Sequence, residues 1–174
     1  KMNSILENGT LNSKIIYEQI TLLFQSMVSL LIINLLVCFL LAVMFWGIVP
    51  NTSIYLWTGL MLGMITVRGI LYSIYKQKFD HQNLKYFSLF LVIGSATAGV
   101  IWGLGGLLLF SETRLEYQVL LVFAFMAMTG GSTFTLSIYM PTYFVYAPLA
   151  LLPITIKLLT LGTKVHIGLA ILMV

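Results

Sequence analysis

Charged residues are scarce in this sequence, and their scarcity restricts the class of protein. Asp, Glu, Lys and Arg make up only 8% of the 174 residues, whereas 60% are hydrophobic and the mean hydropathy is +1.02. Soluble domains carry about 25% charged residues, so this chain has too few charges to cover a surface exposed to water. The composition therefore indicates an integral membrane protein.

The residues that usually build catalytic and metal sites are also rare. The single cysteine, Cys38, excludes an intramolecular disulfide, and His81 and His166 have no thiol or acidic neighbours at ligand spacing. Motifs of zinc proteases, serine hydrolases and phosphate-binding loops are absent from the sequence. We therefore expect no catalytic residue, no metal site and no cofactor here. The nine Lys and Arg are too dispersed to predict nucleic-acid binding.

Long hydrophobic runs separated by short polar breaks predict an all-α, polytopic bundle of transmembrane helices. Residues 1–12 are expected to be a flexible N-terminus, and residues 13–174 a single membrane domain. This domain opens with an amphipathic helix from Ser13, in which Lys14 and Glu18 are spaced to pair one turn apart. The six predicted spans are 27–49, 54–75, 86–110, 117–137, 141–161 and 165–174.

The last predicted span, 165–174, is too short to cross a bilayer. Its residues would form about 15 Å of helix, which is half of the hydrocarbon thickness. We therefore expect a truncated sixth span that continues into a cytoplasmic output domain missing from this chain. In the fifth span, Pro148 and Pro153 predict a kink.

Small residues recur at every fourth position in several predicted spans. Ser95, Gly99 and Gly103 form the clearest series. In water each glycine would cost a helix about 1 kcal/mol relative to alanine, but between lipids small side chains let helices approach closely. We predict that this stripe meets a second one in the fourth span. The predicted helix-packing residues are Gly59, Gly63, Ser95, Gly99, Gly103, Gly106, Ala127 and Gly131.

Arg68 is the clearest candidate for a functional residue, because a cation at the centre of a transmembrane helix costs about 2.5–3.5 kcal/mol on insertion scales. One interpretation is that it snorkels toward lipid phosphates and fixes the topology. The other is that it faces a cavity and meets a ligand carboxylate or carbonyl. Likewise, polar side chains in later spans either satisfy helix carbonyls or line a pocket. The candidate ligand-binding residues are Arg68, Trp102, Thr129, Ser132, Thr133, Tyr143 and Tyr146.

The distribution of cations predicts the orientation of the chain in the membrane. One side would hold Lys1, Lys14, Lys76, Lys78 and Lys85, with Arg68 near it, and the other side Arg114, Lys157 and Lys164. Because cytoplasmic loops carry an excess of Lys and Arg, we predict that the N-terminus is cytoplasmic.

Several short motifs occur in a characteristic order. They are Tyr17-Glu18-Gln19, Asn34-Leu35-Leu36, Trp46-Gly47-Ile48-Val49, Arg68, residues 102–110, Tyr117-Gln118, Gly130-Gly131, and Pro148 with Pro153. In this order the chain resembles the membrane-associated sensor (MASE-like) regions of bacterial GGDEF diguanylate cyclases and hybrid sensor histidine kinases. The resemblance implies a multi-pass sensor in the bacterial inner membrane, homodimeric and surrounded by lipid. Such a region would detect a small, lipophilic signal or a membrane state and would pass it to a cytoplasmic cyclase or kinase domain, without being an enzyme itself.

A fragment of a transporter or of an integral-membrane enzyme is the alternative interpretation. In that case Arg68, the Ser and Thr residues of the fourth span and the kinked fifth helix would form a substrate path near the bilayer midplane. The sequence beyond Val174 discriminates between the two, because a sensor continues into a soluble signalling domain and a transporter continues into further spans.

Overall fold

The computed structural model describes the backbone of residues 2–78 and 83–173, and the side chains of residues 14–77 and 83–173. About 90% of the structure is helical, and the described residues contain no strand. The helices are α1 (Met2–Met44), α2 (Asn51–Lys78), α3 (Leu84–Leu108), α4 (Leu115–Leu136), α5 (Met140–Leu161) and α6 (Lys164–Leu172), with a 3-10 turn, Ser137–Tyr139, between α4 and α5. The predicted all-α class is confirmed.

Helix α1 is one unbroken helix, whereas the sequence predicted a flexible terminus, a separate amphipathic helix and then a span. No glycine or proline lies between Ser13 and Met44, so no residue interrupts the helical backbone. The helix ends earlier than the expected residue 49, because Gly47 adopts a left-handed φ of 74° and Pro50 follows. Residues 2–12 form its first turns, and the flexibility of this terminus stays a prediction.

The helices run alternately up and down, which gives the bundle two distinct ends. At the first end, Phe24 of α1 stacks on Tyr75 of α2 and contacts Phe87 of α3 edge to face. At the second end, Phe45 of α1 contacts Tyr117 of α4. As a result α1, α3 and α5 are parallel to one another and antiparallel to α2 and α4.

Four helical stretches are long and apolar enough to cross a membrane. They are Lys14–Met44, Asn51–Gln77, Leu84–Leu108 and Leu115–Leu161, and the last of these contains both α4 and α5. Large apolar side chains also cover the outside of the bundle, for example Phe39 and Phe134. The chain is therefore a membrane protein, while the count of six spans stays a prediction. Helix α6 has only nine residues.

Helix α3 forms the centre of the bundle, and its small-residue stripe packs against α5. A Cβ added to Gly99 would lie 2.7 Å from the carbonyl oxygen of Tyr146, and one added to Gly103 would overlap the carbonyl oxygen of Leu149. Gly106 faces both Ile154 of α5 and Phe125 of α4. The prediction that this stripe packs mainly against the small residues of the fourth span was therefore wrong. The stripe packs mainly against α5, which runs parallel to α3.

A proline in α5 explains why this approach is so close. Pro153 has no N–H, so the carbonyl of Leu149, four residues earlier, lacks its usual helical donor. That carbonyl oxygen lies against Gly103, where the absence of a side chain leaves room for it. Glycine in α3 and proline in α5 are thus complementary features of one helix contact.

The other predicted packing residues differ in their surroundings. Ser95 is buried in α3. An added Cβ would have no neighbour within 4 Å at Gly59, Gly63 or Gly131, because these glycines face outward or into open space, and Ala127 is exposed. The role of these four residues in helix packing stays a prediction.

Candidate functional site

Arg68 lies among the helices and does not extend to either end of the bundle. Only 8% of its surface is exposed. Its guanidinium group passes Gly94 of α3, with Nε 3.6 Å and Nη2 3.7 Å from the position that a Cβ on Gly94 would occupy. Gly94 lies about 15 Å along α3 from Leu84, close to the middle of the helix. The side chain therefore has a buried conformation and not a snorkelling one.

The guanidinium group of Arg68 makes neither a hydrogen bond nor an ion pair with the residues that the structure describes, and its Nε is fully buried without an acceptor. Its charge interacts electrostatically with the phenol of Tyr146. Among the described acidic residues, Glu18 is exposed near the first end, and Glu112 and Glu116 are exposed at the second end. Because a buried charge is normally paired, Arg68 is an unsatisfied donor in the middle of the bundle.

A cavity of about 110 Å³ with both polar and apolar lining residues adjoins Arg68 and is called the Arg68 cavity below. Its polar lining residues are Asn34 of α1, Arg68 of α2, Ser132 and Thr135 of α4, and Tyr146 of α5. One water molecule needs roughly 10–15 Å³ of such space, so the cavity has room for several waters or for the polar group of a ligand. It therefore combines one cation with several neutral hydrogen-bonding groups.

A hydrogen-bond chain connects the Arg68 cavity to the core. The Asn34 amide donates from Nδ2 to the carbonyl of Leu30 at 2.8 Å, and its Oδ1 accepts a 3.0 Å hydrogen bond from the indole N–H of Trp102. The Trp102 ring is packed edge to face against both Trp57 and Phe125. A movement of α1 at Asn34 would therefore be transmitted directly to α3.

The structure brings together some of the predicted ligand-binding residues and separates others. Arg68, Ser132 and Tyr146 line the same cavity, whereas Tyr143 lines a different cavity that extends to the C-terminal end of the chain at Met173. Trp102 is a core residue whose contact with the cavity runs through Asn34.

Three predicted ligand-binding residues have hydroxyls that are satisfied within their own helix, and one of them is Ser132, whose hydroxyl donates to the carbonyl of Thr129 at 2.7 Å. The Thr129 hydroxyl donates to the carbonyl of Phe125 at 2.8 Å, and the Thr133 hydroxyl donates to the carbonyl of Thr129 at 3.0 Å. This is the bonding expected of Ser and Thr in apolar helices. Their role in ligand binding stays a prediction.

Asn34 and Thr135 also line the Arg68 cavity. The sequence marked both as polar side chains inside the spans but did not select them as ligand-binding candidates. Sequence reasoning missed Gly94, which provides the space through which the arginine passes. An asparagine inside an apolar run was a usable signal for Asn34, because such a side chain needs a partner in lipid. Gly94 gave no such signal, since its relation to Arg68 depends on how α2 and α3 are aligned.

A second polar cluster lies at the second end of the bundle. Gln118 is buried, its Nε2 donates to the carbonyl of Ser111 at 2.7 Å, and its Oε1 accepts a 2.7 Å hydrogen bond from Nε2 of His166. Nearby, the exposed Glu112 forms a 2.6 Å ion pair with Lys157. The hydrogen bond from Lys157, followed by its charge, lowers the pKa of the Glu112 carboxyl below its ordinary value. These contacts tie the loop before α4 to α5 and α6.

The described residues contain no group of three His, Cys, Asp or Glu side chains close enough to hold a metal ion. His81 lies outside the described residues.

The fold and the site together define an all-helical membrane protein with a buried arginine that lacks a hydrogen-bond partner among the described residues and adjoins a partly polar cavity. No family model, curated protein or solved structure matches the chain. Its function is therefore inferred from the geometry of the site and from the sequence resemblance alone.

Proposed function

We propose that this region is the transmembrane sensory input module of a bacterial signalling protein, and that it binds its signal at the Arg68 cavity. The observation that carries the proposal is that Arg68 is 8% exposed, has no hydrogen-bond partner within the described part of the chain and adjoins a partly polar cavity. An intramembrane ionisable residue is a functional-site hypothesis by default. The MASE-like order of motifs supports a sensor as the functional class.

The geometry suggests how a bound signal would change the protein. The Arg68 cavity is lined by residues from five helices, α1 to α5. A ligand that accepts hydrogen bonds from Arg68 would stabilise the helix arrangement in which these groups converge, and would thereby shift the population toward it. Packed helices respond by small shifts between discrete arrangements, and α5 leads directly to α6. The proposed output is a cyclase or kinase domain beyond α6, and the module itself performs no catalysis.

The charge at the two ends of the bundle supports the proposed orientation. In the sequence, five lysines lie toward the first end, Lys1, Lys14, Lys76, Lys78 and Lys85, and three cations toward the second end, Arg114, Lys157 and Lys164. Acidic residues contribute little to orientation, so the number of Lys and Arg decides it. An excess of positive charge at the first end favours a cytoplasmic N-terminus in a bacterial inner membrane. We also propose that the module is a homodimer.

Output activity of the full-length protein tests this function. We expect Arg68→Gln and Tyr146→Phe to hold the output in one state, because each removes a donor from the cavity. Arg114→Gln is the matched control, since Arg114 is an exposed cation outside the cavity. Wild-type output, with an unchanged response to growth conditions, in both cavity variants would contradict the proposal.

A transporter or integral-membrane enzyme fragment is the second candidate function. It is favoured by one observation, the carbonyl of Leu149 that Pro153 leaves without a helical donor near the centre of α5. Transmembrane helices whose backbone hydrogen bonds are interrupted within the membrane are typical of substrate sites in transporters. The gene sequence beyond Val174 decides between the candidates, because further hydrophobic spans would favour the transporter and a soluble signalling domain would favour the sensor.

A further inference from the structure

A groove between α2 and α3 opens on the outer, lipid-facing surface of the bundle. It has a volume of about 510 Å³ and is lined almost entirely by apolar side chains, among them Leu60, Val67 and Ile93. Gly59 and Gly63 also line it, and a Cβ added to either would meet no atom within 4 Å. Because glycine has no side chain, these two positions leave a channel along α2, which a larger residue at either position would fill.

Arg68 lies toward one end of this groove, about one helical turn before Leu71 and Phe90, which line that end. The same side chain also lines the Arg68 cavity. Arg68 therefore lies between the outer groove and the cavity inside the bundle. Gly59 and Arg68 are separated along α2 by about 14 Å, which is roughly half of the 30 Å hydrocarbon thickness. The groove thus combines an apolar channel the length of one leaflet with a single positive charge.

We infer that this groove holds the acyl chain of a single-chain carboxylic acid, whose carboxylate pairs with Arg68. The inference rests on the proposed function in taking this acid as the signal. Charge complementarity carries it, because the buried guanidinium lacks an anion and presents donors in the fork geometry that carboxylates match. Pairing with a monoanion neutralises the site, whereas a long-chain alcohol would leave the arginine charge uncompensated.

The depth of Arg68 favours a free acid over a membrane phospholipid. Its guanidinium lies beside Gly94, about 15 Å from the start of α3. The phosphate of a phospholipid lies outside the hydrocarbon core and therefore roughly 15 Å from the bilayer centre. A single-chain acid can move its carboxylate to the arginine without moving a second chain or a glycerol headgroup.

Binding of tritiated dodecanoate to the full-length protein in phosphatidylcholine nanodiscs tests the inference. We expect saturable binding that unlabelled dodecanoate abolishes. Dodecan-1-ol, which has the same chain without the charge, and acetate, which has the same charge without the chain, should each compete at least about tenfold more weakly. Equal competition by dodecan-1-ol, or loss of dodecanoate binding when the nanodiscs contain phosphatidylglycerol, would overturn the inference in favour of chain partitioning or a phospholipid occupant.

Variants then locate the bound acid. Arg68→Gln should weaken dodecanoate binding at least about tenfold, and the fold should survive because the change removes an unpaired buried charge. Gly63→Leu should weaken binding by filling the groove. Gly69→Leu is its matched control, since Gly69 is in the same helix with equally open surroundings but lies outside the groove. Unchanged binding in Arg68→Gln, or equal losses in Gly63→Leu and Gly69→Leu, would overturn the inference.

The same variants separate this inference from the proposed function. If Arg68→Gln changes signalling output but not dodecanoate binding, the ligand class is wrong and the sensor proposal stands. If dodecanoate binds at Arg68 but neither the acid nor the variants change output, the binding site is supported and the sensor proposal fails.

Discussion

Replacing Gly103 by alanine tests the contact on which the centre of the bundle depends. The added Cβ would overlap the carbonyl oxygen of Leu149 and lie 2.9 Å from Cγ of Pro153. Neither neighbour is the flexible end of a side chain, so α3 and α5 must separate to accept it. Overpacking of this kind costs about 1–3 kcal/mol.

A matched alanine variant isolates this packing cost. Alanine is the better helix former by about 1 kcal/mol, which partly hides the clash in Gly103→Ala alone. Gly69→Ala gains the same helix propensity without a clash, because nothing lies within 4 Å of its added Cβ. The propensity terms cancel in the comparison, so we expect Gly103→Ala to be about 1–3 kcal/mol less stable than Gly69→Ala.

Unfolding in mixed micelles of a mild detergent and sodium dodecyl sulfate measures this difference. Tryptophan fluorescence reports the transition, because Trp102 of α3 and Trp57 of α2, which packs against Gly105 of α3, are almost completely buried. If Gly103→Ala proves as stable as Gly69→Ala, the close approach of α3 and α5 described above is incorrect.

Three further predictions use other parts of the structure. Asn34→Leu leaves the Trp102 indole N–H without its acceptor, so we expect the free energy of unfolding to fall by about 1 kcal/mol. If the effects of Asn34→Leu and Trp102→Phe are fully additive in a double-mutant cycle, the hydrogen bond is refuted. Gly162→Ala places alanine at a φ of 66° and should cost about 1 kcal/mol in the same unfolding assay, whereas wild-type stability would argue against this helix end. Lys157 lowers the pKa of Glu112 in the folded protein. The stabilisation from this ion pair is therefore fully present at pH values above the unfolded-state pKa, near 4.5, and is lost as the pH falls through the lower folded-state pKa. Carbon-13 NMR should show the Glu112 pKa rising in Lys157→Gln, and an unchanged value would exclude the ion pair in solution.

Composition and hydrophobic runs were sufficient to predict an all-helical membrane protein. Lipid offers no hydrogen bonds to the backbone, so apolar runs of this length must close their hydrogen bonds within helices. The later helix boundaries were predicted to within two residues, as in α5, because Pro141 and Gly162 mark its start and its end in the sequence. Arg68 was identifiable for a similar reason, since a cation inside an apolar run is unusual.

Tertiary structure alone decided which residues meet. Asn34 and Trp102 are 68 positions apart, and no local pattern relates them. The small-residue stripe of α3 was recognised, but its partner was misassigned to the fourth span when it is α5. In water the buried face of a helix is marked by polar residues on the opposite face. In a membrane both faces are apolar, so the rotation and alignment of each helix are determined only by packing against its neighbours.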